Sequence, residues 1–408
     1  MQLLYCVIIR CYYLLILISS LFNKKTKLWI NGRRDLFNKL KNAIGGQKNI
    51  VWFHCASLGE FEQGRPVMEE YRKKNPEQKI LLTFFSPSGY EIRKNYAGAD
   101  WVFYLPLDTK KNAVKFLNIV VPEKVIFVKY EFWYYFLNET KKRQIPAYLI
   151  SANFRKDQLF FKSYGKWYRK MLNLFTFIFV QNKLSEDLLK TAGITSVVVA
   201  GDTRFDRVSD IATQSKVISE AELFSKKSFV LVAGSTWPQD EELLLPYIND
   251  KTNNIKLIIA QHEISENRLY NLEKLLKVKS VRFSSADEAM LISAKVLIID
   301  NVGMLSSLYK YGSLAYIGGG FGKGIHNILE AAVFGQPVLF GPNYLKFTEA
   351  IELINEKGAI SVSDYKDLKE TVNGFIDNKE HLKSVSDISK RFVEERTGAT
   401  QKIMKVIC

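Results

Sequence analysis

SVVVAG at residues 196–201 and SFVLVAGSTWP at residues 228–238 are both near-continuously apolar, and what lies between them decides the fold. The intervening GDTRFDRVSDIATQ, residues 201–214, is polar and shows no hydrophobic periodicity. A chain that ends one series of buried strands, crosses such a stretch and starts another series is building two cores. We place the boundary near residue 209. The length of 408 residues agrees, being too great for one ordinary core and sufficient for two of about 200 residues each.

Upstream the runs are NIVWFHCA (49–56), KILLTFF (79–85), KNYAGADWVFYLP (94–106), VIFVKY (125–130), AYLIS (147–151) and FTFIFVQ (175–181), with amphipathic stretches between them. Downstream they are NIKLIIAQ (254–261), AKVLIID (294–300), LAYIGGG (314–320) and QPVLFGP (336–342). Strands buried on both faces read in this way, and their alternation with helices predicts parallel sheets covered on both sides. The expected class is α/β of the GT-B type: two Rossmann-like doubly wound domains facing each other across a cleft. The expected divisions are an apolar segment at 1–24, a first Rossmann-like domain at 25–208, a second at 209–383 and a closing helix at 384–408.

With 47% hydrophobic and 25% charged residues, the composition is that of a globular protein. The net charge of +16 is unevenly spread: residues 1–208 hold 34 Lys+Arg against 17 Asp+Glu, and residues 209–408 hold 24 against 25. All the excess cation therefore lies in the first half, which is expected to meet an anionic surface. Residues 2–22, QLLYCVIIRCYYLLILISSLF, are apolar except for Gln2, Arg10 and two serines, and Lys24, Lys25 and Lys27 follow at once. The segment is long enough to reach across a bilayer, with Arg10 as its awkward residue; a spanning anchor and an interfacial helix both remain open. The lysines behind it favour a cytoplasmic location for the rest of the chain. Cys6, Cys11, Cys55 and Cys408 and the four histidines have no metal-ligand or disulfide spacing. Neither a metal nor a cofactor is expected.

Ligands of open parallel sheets bind beyond the carboxyl ends of strands. Gly234-Ser235-Thr236-Trp237 offers a glycine, two hydroxyls and the start of a helix, a natural seat for phosphate. The run from Gly318 to Asn327 has five glycines, allowing backbone to approach a ligand, with Lys323 near phosphate and Glu330 near ribose hydroxyls. No G-x-x-x-x-G-K-[ST] and no early G-x-G-x-x-G occurs, so neither a P-loop enzyme nor a dehydrogenase is supported, and the lack of an Asp-x-Asp argues against a metal-clamped diphosphate donor. Ser57-Leu58-Gly59-Glu60 places a carboxylate just past the first strand, where Glu60 could take a proton from an attacking hydroxyl.

Six stretches in order resemble a known family: Ser57–Glu60; Glu131-Phe132-Trp133; Gly201–Asp206; Gly234–Trp237; Asp300–Leu305; and His326–Glu330. With the apolar N-terminus they resemble the 3-deoxy-D-manno-octulosonic acid (Kdo) transferases of Gram-negative bacteria, over nearly the whole chain. The resemblance implies transfer of Kdo from CMP-Kdo to a phosphorylated lipid A precursor, lipid IVA, at the cytoplasmic face of the inner membrane, without metal or nucleic acid. It implies Glu60 as catalytic base and Glu131 as a second cleft carboxylate. Donor contacts would be Ser235, Thr236, His262, Gly303, Met304, Gly319, Gly320, Asn327 and Glu330. Acceptor contacts would be Ser57, Gly59, Ser86, Ser88, Arg155 and Arg204. The chain departs from the family pattern at Lys129-Tyr130-Glu131, where Glu-Thr-Glu is usual. It departs again at Gln261-His262, where Arg-His is common, and at Asp202-Thr203-Arg204 in place of Asn-Leu-Lys. The competing readings are another GT-B enzyme, a UDP-sugar transferase or epimerase, and a non-catalytic basic protein that binds a membrane surface.

Overall fold

A computed structural model describes residues 1–408. The first sheet contains β1 (Ile50–Cys55), β2 (Lys79–Phe84), β3 (Trp101–Tyr104), β4 (Lys124–Val128), β5 (Ala147–Ala152), β6 (Phe177–Val180) and β7 (Val197–Val199). Its order is β3-β2-β1-β4-β5-β6-β7 and every pairing is parallel. Successive residues of β1 serve opposite faces, as strand geometry requires: Ile50 and Trp52 join one apolar cluster with Leu81, Phe127 and Leu149, whereas Val51 and Phe53 join another with Ile80, Ile126 and Ile150.

The second sheet contains β8 (Phe229–Thr236), β9 (Ile255–Gln261), β10 (Ser280–Arg282), β11 (Val296–Ile299), β12 (Leu314–Ile317), β13 (Val338–Phe340) and β14 (Ala359–Ser361). Its order is β10-β11-β9-β8-β12-β13-β14, again all parallel. The two doubly wound sheets are those expected from the sequence, but β10 and β14 were not anticipated. Each is a three-residue edge strand of mixed polarity, SVR and AIS, with no apolar run to announce it.

In each sheet the chain steps outward from a central strand and then returns to that strand's other side. The reversal falls between β1 and β4 in the first sheet and between β8 and β12 in the second. At such switch points adjacent loops diverge and leave a crevice at the carboxyl ends.

By contacts the chain divides into one unit of Met1–Asp206 plus Gly398–Cys408 and a second of Arg207–Thr397. The connecting stretch read as aperiodic is instead a helix, Thr203–Gln214. Local polar capping starts it: Asp202 Oδ1 accepts the Arg204 N–H at 3.0 Å. In place of one closing helix over 384–408 there are two, Lys379–Glu394 and Ala399–Ile407, broken at Gly398 with φ +99°. The last helix packs Ile403, Met404 and Ile407 into the first sheet's core.

The apolar N-terminus forms one helix, Gln2–Ser19, that lies against the first unit. Ile9 and Ile16 are buried. The Tyr5 hydroxyl donates to Asp108 Oδ2 at 2.5 Å, and Asp108 also accepts the Tyr135 and Phe136 N–H groups at 3.1 and 3.0 Å. Burial is the main cause that pushes the Asp108 carboxyl up to about 6, and these three donors oppose it. Further along, Tyr12 meets Trp29 and Phe85, and the half-buried Arg33 places its guanidinium 3.7 Å from the Trp29 ring centre.

Candidate active site

At the first switch point β1 runs through Ser57 into the helix Leu58–Lys74, with Glu60 in its opening turn. Glu60 is half-buried, and the Ser57 hydroxyl donates to its Oε2. Gly59 is exposed, and a Cβ built there would meet only Ser57 Oγ, at 3.8 Å, so this glycine is not imposed by packing within the chain.

Glu131 follows β4 and differs from expectation. It is 5% exposed, so it is a buried carboxylate and not an open cleft one. Its Oε2 lies 2.9 Å from His54 Nε2, and the Trp133 indole N–H donates to the same oxygen. His54 is fully buried in β1, with Nδ1 2.8 Å from Thr83 Oγ1, which accepts the Trp52 indole N–H at 2.7 Å. With Nε2–H donating to Glu131, Nδ1 accepts the Thr83 hydroxyl proton, and the Trp133 indole N–H is left to the Glu131 carboxylate. The sequence reading missed His54, although a histidine inside the apolar run IVWFHC is itself a signal of a paired buried group.

Both carboxylates act electrostatically on one thiol. Burial, and then the charges of Glu60, Glu131 and Glu62, push the Cys55 thiol well up. Tyr130 joins them: burial raises its hydroxyl, a hydrogen bond and the charge of Arg155 lower it, and Glu60 raises it. Arg155 is exposed, and Lys129 Nζ sits 5.5 Å from the Tyr130 ring centre. Lys129 adopts φ +70°, a left-handed conformation uncommon outside glycine and concentrated at functional loops.

Three acceptor candidates are occupied locally. Ser86 caps the helix Pro87–Arg93, accepting the Ser88 N–H at 3.3 Å, and the two hydroxyls lie 3.0 Å apart. Arg204 holds Asp202 Oδ2 through Nε and Nη2 at 2.9 and 2.7 Å.

At the second switch point β8 carries a bulge between Gly234 and Thr236 that leaves Ser235 unpaired at φ +55° and half-exposed. Bulges beside sites re-aim side chains, and this one turns its two hydroxyls apart. Thr236 is fully buried and donates to Glu241 Oε1 at 3.1 Å, so the expected phosphate contact from this side chain is corrected. Gln261 and Arg268 donate to the same oxygen at 2.9 and 2.8 Å.

Asp240, also buried, accepts the Trp237 and Gly319 N–H groups at 2.9 Å each and the Tyr316 hydroxyl at 2.8 Å. It takes two of the N–H groups that the supposed phosphate seat would offer. The glycine-rich loop has a second correction. A Cβ on Gly318 would lie 2.2 Å from Ser235 O, and one on Gly320 would lie 2.5 Å from Gly341 N. These two glycines let the end of β8 and the loops after β12 and β13 lie backbone against backbone. The helix that follows is only Leu329–Ala332, with Asn327 Nδ2 donating to Glu330 Oε1 at 3.1 Å. Gly303 is exposed at φ +101° beside Met304, with nothing near its Cβ position.

His262 completes this end. Its ring stacks with Trp237, centroids 4.7 Å apart, and with His326, at 4.3 Å. The Trp237 indole N–H donates to His326 Nε2 at 3.2 Å. Burial first, and the charge of His262 second, push His326 down to about 4, so near neutral pH it is an uncharged acceptor.

Residues 31–207 match the family model for "3-Deoxy-D-manno-octulosonic-acid transferase (kdotransferase)". Curated relatives of the same description include one from Rickettsia typhi, 26% identical with 93% of this chain and 84% of that protein covered. Another, from Haemophilus influenzae, is 24% identical and covers 97% of this chain and 95% of that protein. Among solved structures, a UDP-GlcNAc 2-epimerase from Neisseria meningitidis shares the fold at 16% identity and a TM-score of 0.60, with 87% and 98% covered. One from Listeria monocytogenes described as a UDP-N-acetylglucosamine 2-epimerase has a TM-score of 0.56 at 14% identity, with 88% and 96% covered. These likenesses bear on the α/β class of the GT-B type, as the two parallel sheets do. Residues 31–207 match the Kdo-transferase family model, and over more than nine-tenths of its length the chain is similar to proteins of that description.

Proposed function

We propose that this chain is an inverting, metal-independent glycosyltransferase that moves Kdo from CMP-Kdo to a phosphorylated lipid A precursor at the cytoplasmic face of the bacterial inner membrane. The observation that carries the mechanism is Glu60: a half-buried carboxylate at the first switch point, oriented by Ser57, beside a glycine that leaves open space. Relatives named for Kdo transfer supply the substrate class.

In this reading an acceptor hydroxyl attacks the anomeric carbon of Kdo and its proton passes to Glu60. The new C–O bond forms as the bond to the CMP phosphate oxygen breaks, and the electron pair leaves with CMP. Ser235, freed by its bulge, meets the departing phosphate. Asn327 and Glu330 meet ribose, the Gly303-Met304 turn meets the base, and His262 borders the donor. Arg155, beside Tyr130 and Glu60, meets a phosphate of the lipid; the basic first half serves the same acceptor and the membrane. Glu131, held by His54 and Trp133, shapes this pocket without being the base.

Purified full-length chain incubated with CMP-Kdo and lipid A precursor should yield lipid heavier by one or more Kdo residues, read by mass spectrometry. If no product forms and UDP raises the melting temperature where CMP does not, the UDP-sugar reading replaces this one.

A further inference from the structure

The N-terminal helix is apolar enough to cross a bilayer, with a mean hydropathy of 1.9 over 18 residues. At about 1.5 Å per residue it is about 27 Å long, slightly short of a hydrocarbon core of about 30 Å. Its arrangement on the protein says more than its composition. Tyr5, Ile9, Tyr12 and Ile16 recur every three to four residues and form one stripe along the domain, anchored at Asp108 near one end and at Trp29 and Phe85 near the other. A helix running away from the domain into a membrane would strip this stripe from its partners and leave Asp108 without the Tyr5 hydroxyl.

At about 100° per residue, Leu4, Val7, Leu14, Leu15 and Ile18 form an apolar arc centred about 140° round the helix from that stripe, all exposed, with Leu21 and Phe22 following it. Arg10, the residue that made a spanning helix awkward, falls about 80° to one side of that face. There it sits exposed on the flank. Asn23 caps the next helix, and Lys24, Lys25 and Lys27 cluster in its first turn, supplying positive charge directly beside the apolar face.

We infer that the Gln2–Ser19 helix is not a spanning anchor but an in-plane keel: fixed to the first domain along one side, with its other side sunk into one leaflet of an anionic phospholipid bilayer. The flanking Arg10 and the lysine cluster meet the headgroups. This rests on the membrane association proposed above and adds a geometry: the N-terminus stays on the same side of the membrane as the rest of the chain.

Two measurements test it. The full chain, with a protease-cleavable tag ahead of Met1, is synthesised in the presence of inverted inner-membrane vesicles, whose cytoplasmic face is outward. Added protease should remove the tag without detergent. A tag protected until detergent is added, on a chain that stays with the vesicles, would mean a spanning helix and overturn the inference while leaving membrane association intact. In the second, Leu4→Asp/Leu15→Asp should fold with unchanged circular dichroism and lose at least tenfold in binding to phosphatidylglycerol–phosphatidylethanolamine vesicles. Unchanged binding by this variant would overturn the keel as the contact face. A wild-type chain that binds no vesicles would overturn membrane association itself, and the keel with it.

Discussion

The two switch points are topologically equivalent and chemically opposite. Between β1 and β4 the crevice gathers carboxylates, a tyrosine and cations; between β8 and β12 it gathers glycines, a bulged serine and stacked rings. The first has few geometric constraints on its backbone and many on its charges. In the second, loops lie in backbone contact and two buried carboxylates, Asp240 and Glu241, tie them from below. The first is rich in titratable groups and the second in close backbone contacts; in the proposed reading the first serves the acceptor and the second the nucleotide.

The sharpest way to break this contrast is Glu60→Gln. Turnover should fall about 10²- to 10⁴-fold, the range for losing a general base, with the melting temperature and the CMP-induced shift unchanged. Near-normal turnover would remove Glu60 from the mechanism. His54→Ala should leave Glu131 and Thr83 lacking a buried partner, costing about 1–3 kcal/mol of stability and reducing kcat more than it raises KM. His54→Gln, whose amide can still donate to Glu131, should restore most of both. If alanine and glutamine behave alike in denaturant melts and kinetics, the histidine is only filling space.

At the other end, Gly320→Ala should destabilise the second unit by about 1–3 kcal/mol, because its Cβ would press on Gly341 backbone. Glu60-type kinetic losses without a stability change would contradict the division. The smallest effect concerns pH. His326 is held near 4 when folded and titrates near 6.5 when unfolded, so between those values the unfolded chain binds a proton that the folded one refuses. Stability should therefore fall as pH drops from about 6.5 to 4, by on the order of 1 kcal/mol after discounting for screening at a partly exposed ring. Melting curves of His326→Gln should be flatter across that window; an identical slope would show that another group is responsible.

Much of the fold could be read in advance because central parallel strands are apolar on both sides, so IVWFHC, FVLVAGST and LAYI stand out wherever they occur. Edge strands such as SVR and AIS carry no such mark, and the Thr203–Gln214 helix begins through a polar cap and not a periodic apolar face. Positions in the site were legible as far as loops after strands. Which way a side chain turns there was not. Thr236 and Ser235 are neighbours of similar chemistry, yet a bulge buries one and releases the other. The glycine run looked like room for a ligand, and at Gly318 and Gly320 the occupant is another stretch of the same chain, a contact between residues that are distant in sequence.

The return of residues 398–408 to the first unit bears on how the molecule is made. Ile403, Met404 and Ile407 complete an apolar cluster whose other members lie before residue 201, and Lys124 reaches the Ile407 carbonyl at 2.6 Å. On the ribosome, the half synthesised first would wait for residues 398–408 before its core could close, whereas the contiguous second unit would have all its strands in hand earlier. The order of completion would then run opposite to the order of synthesis.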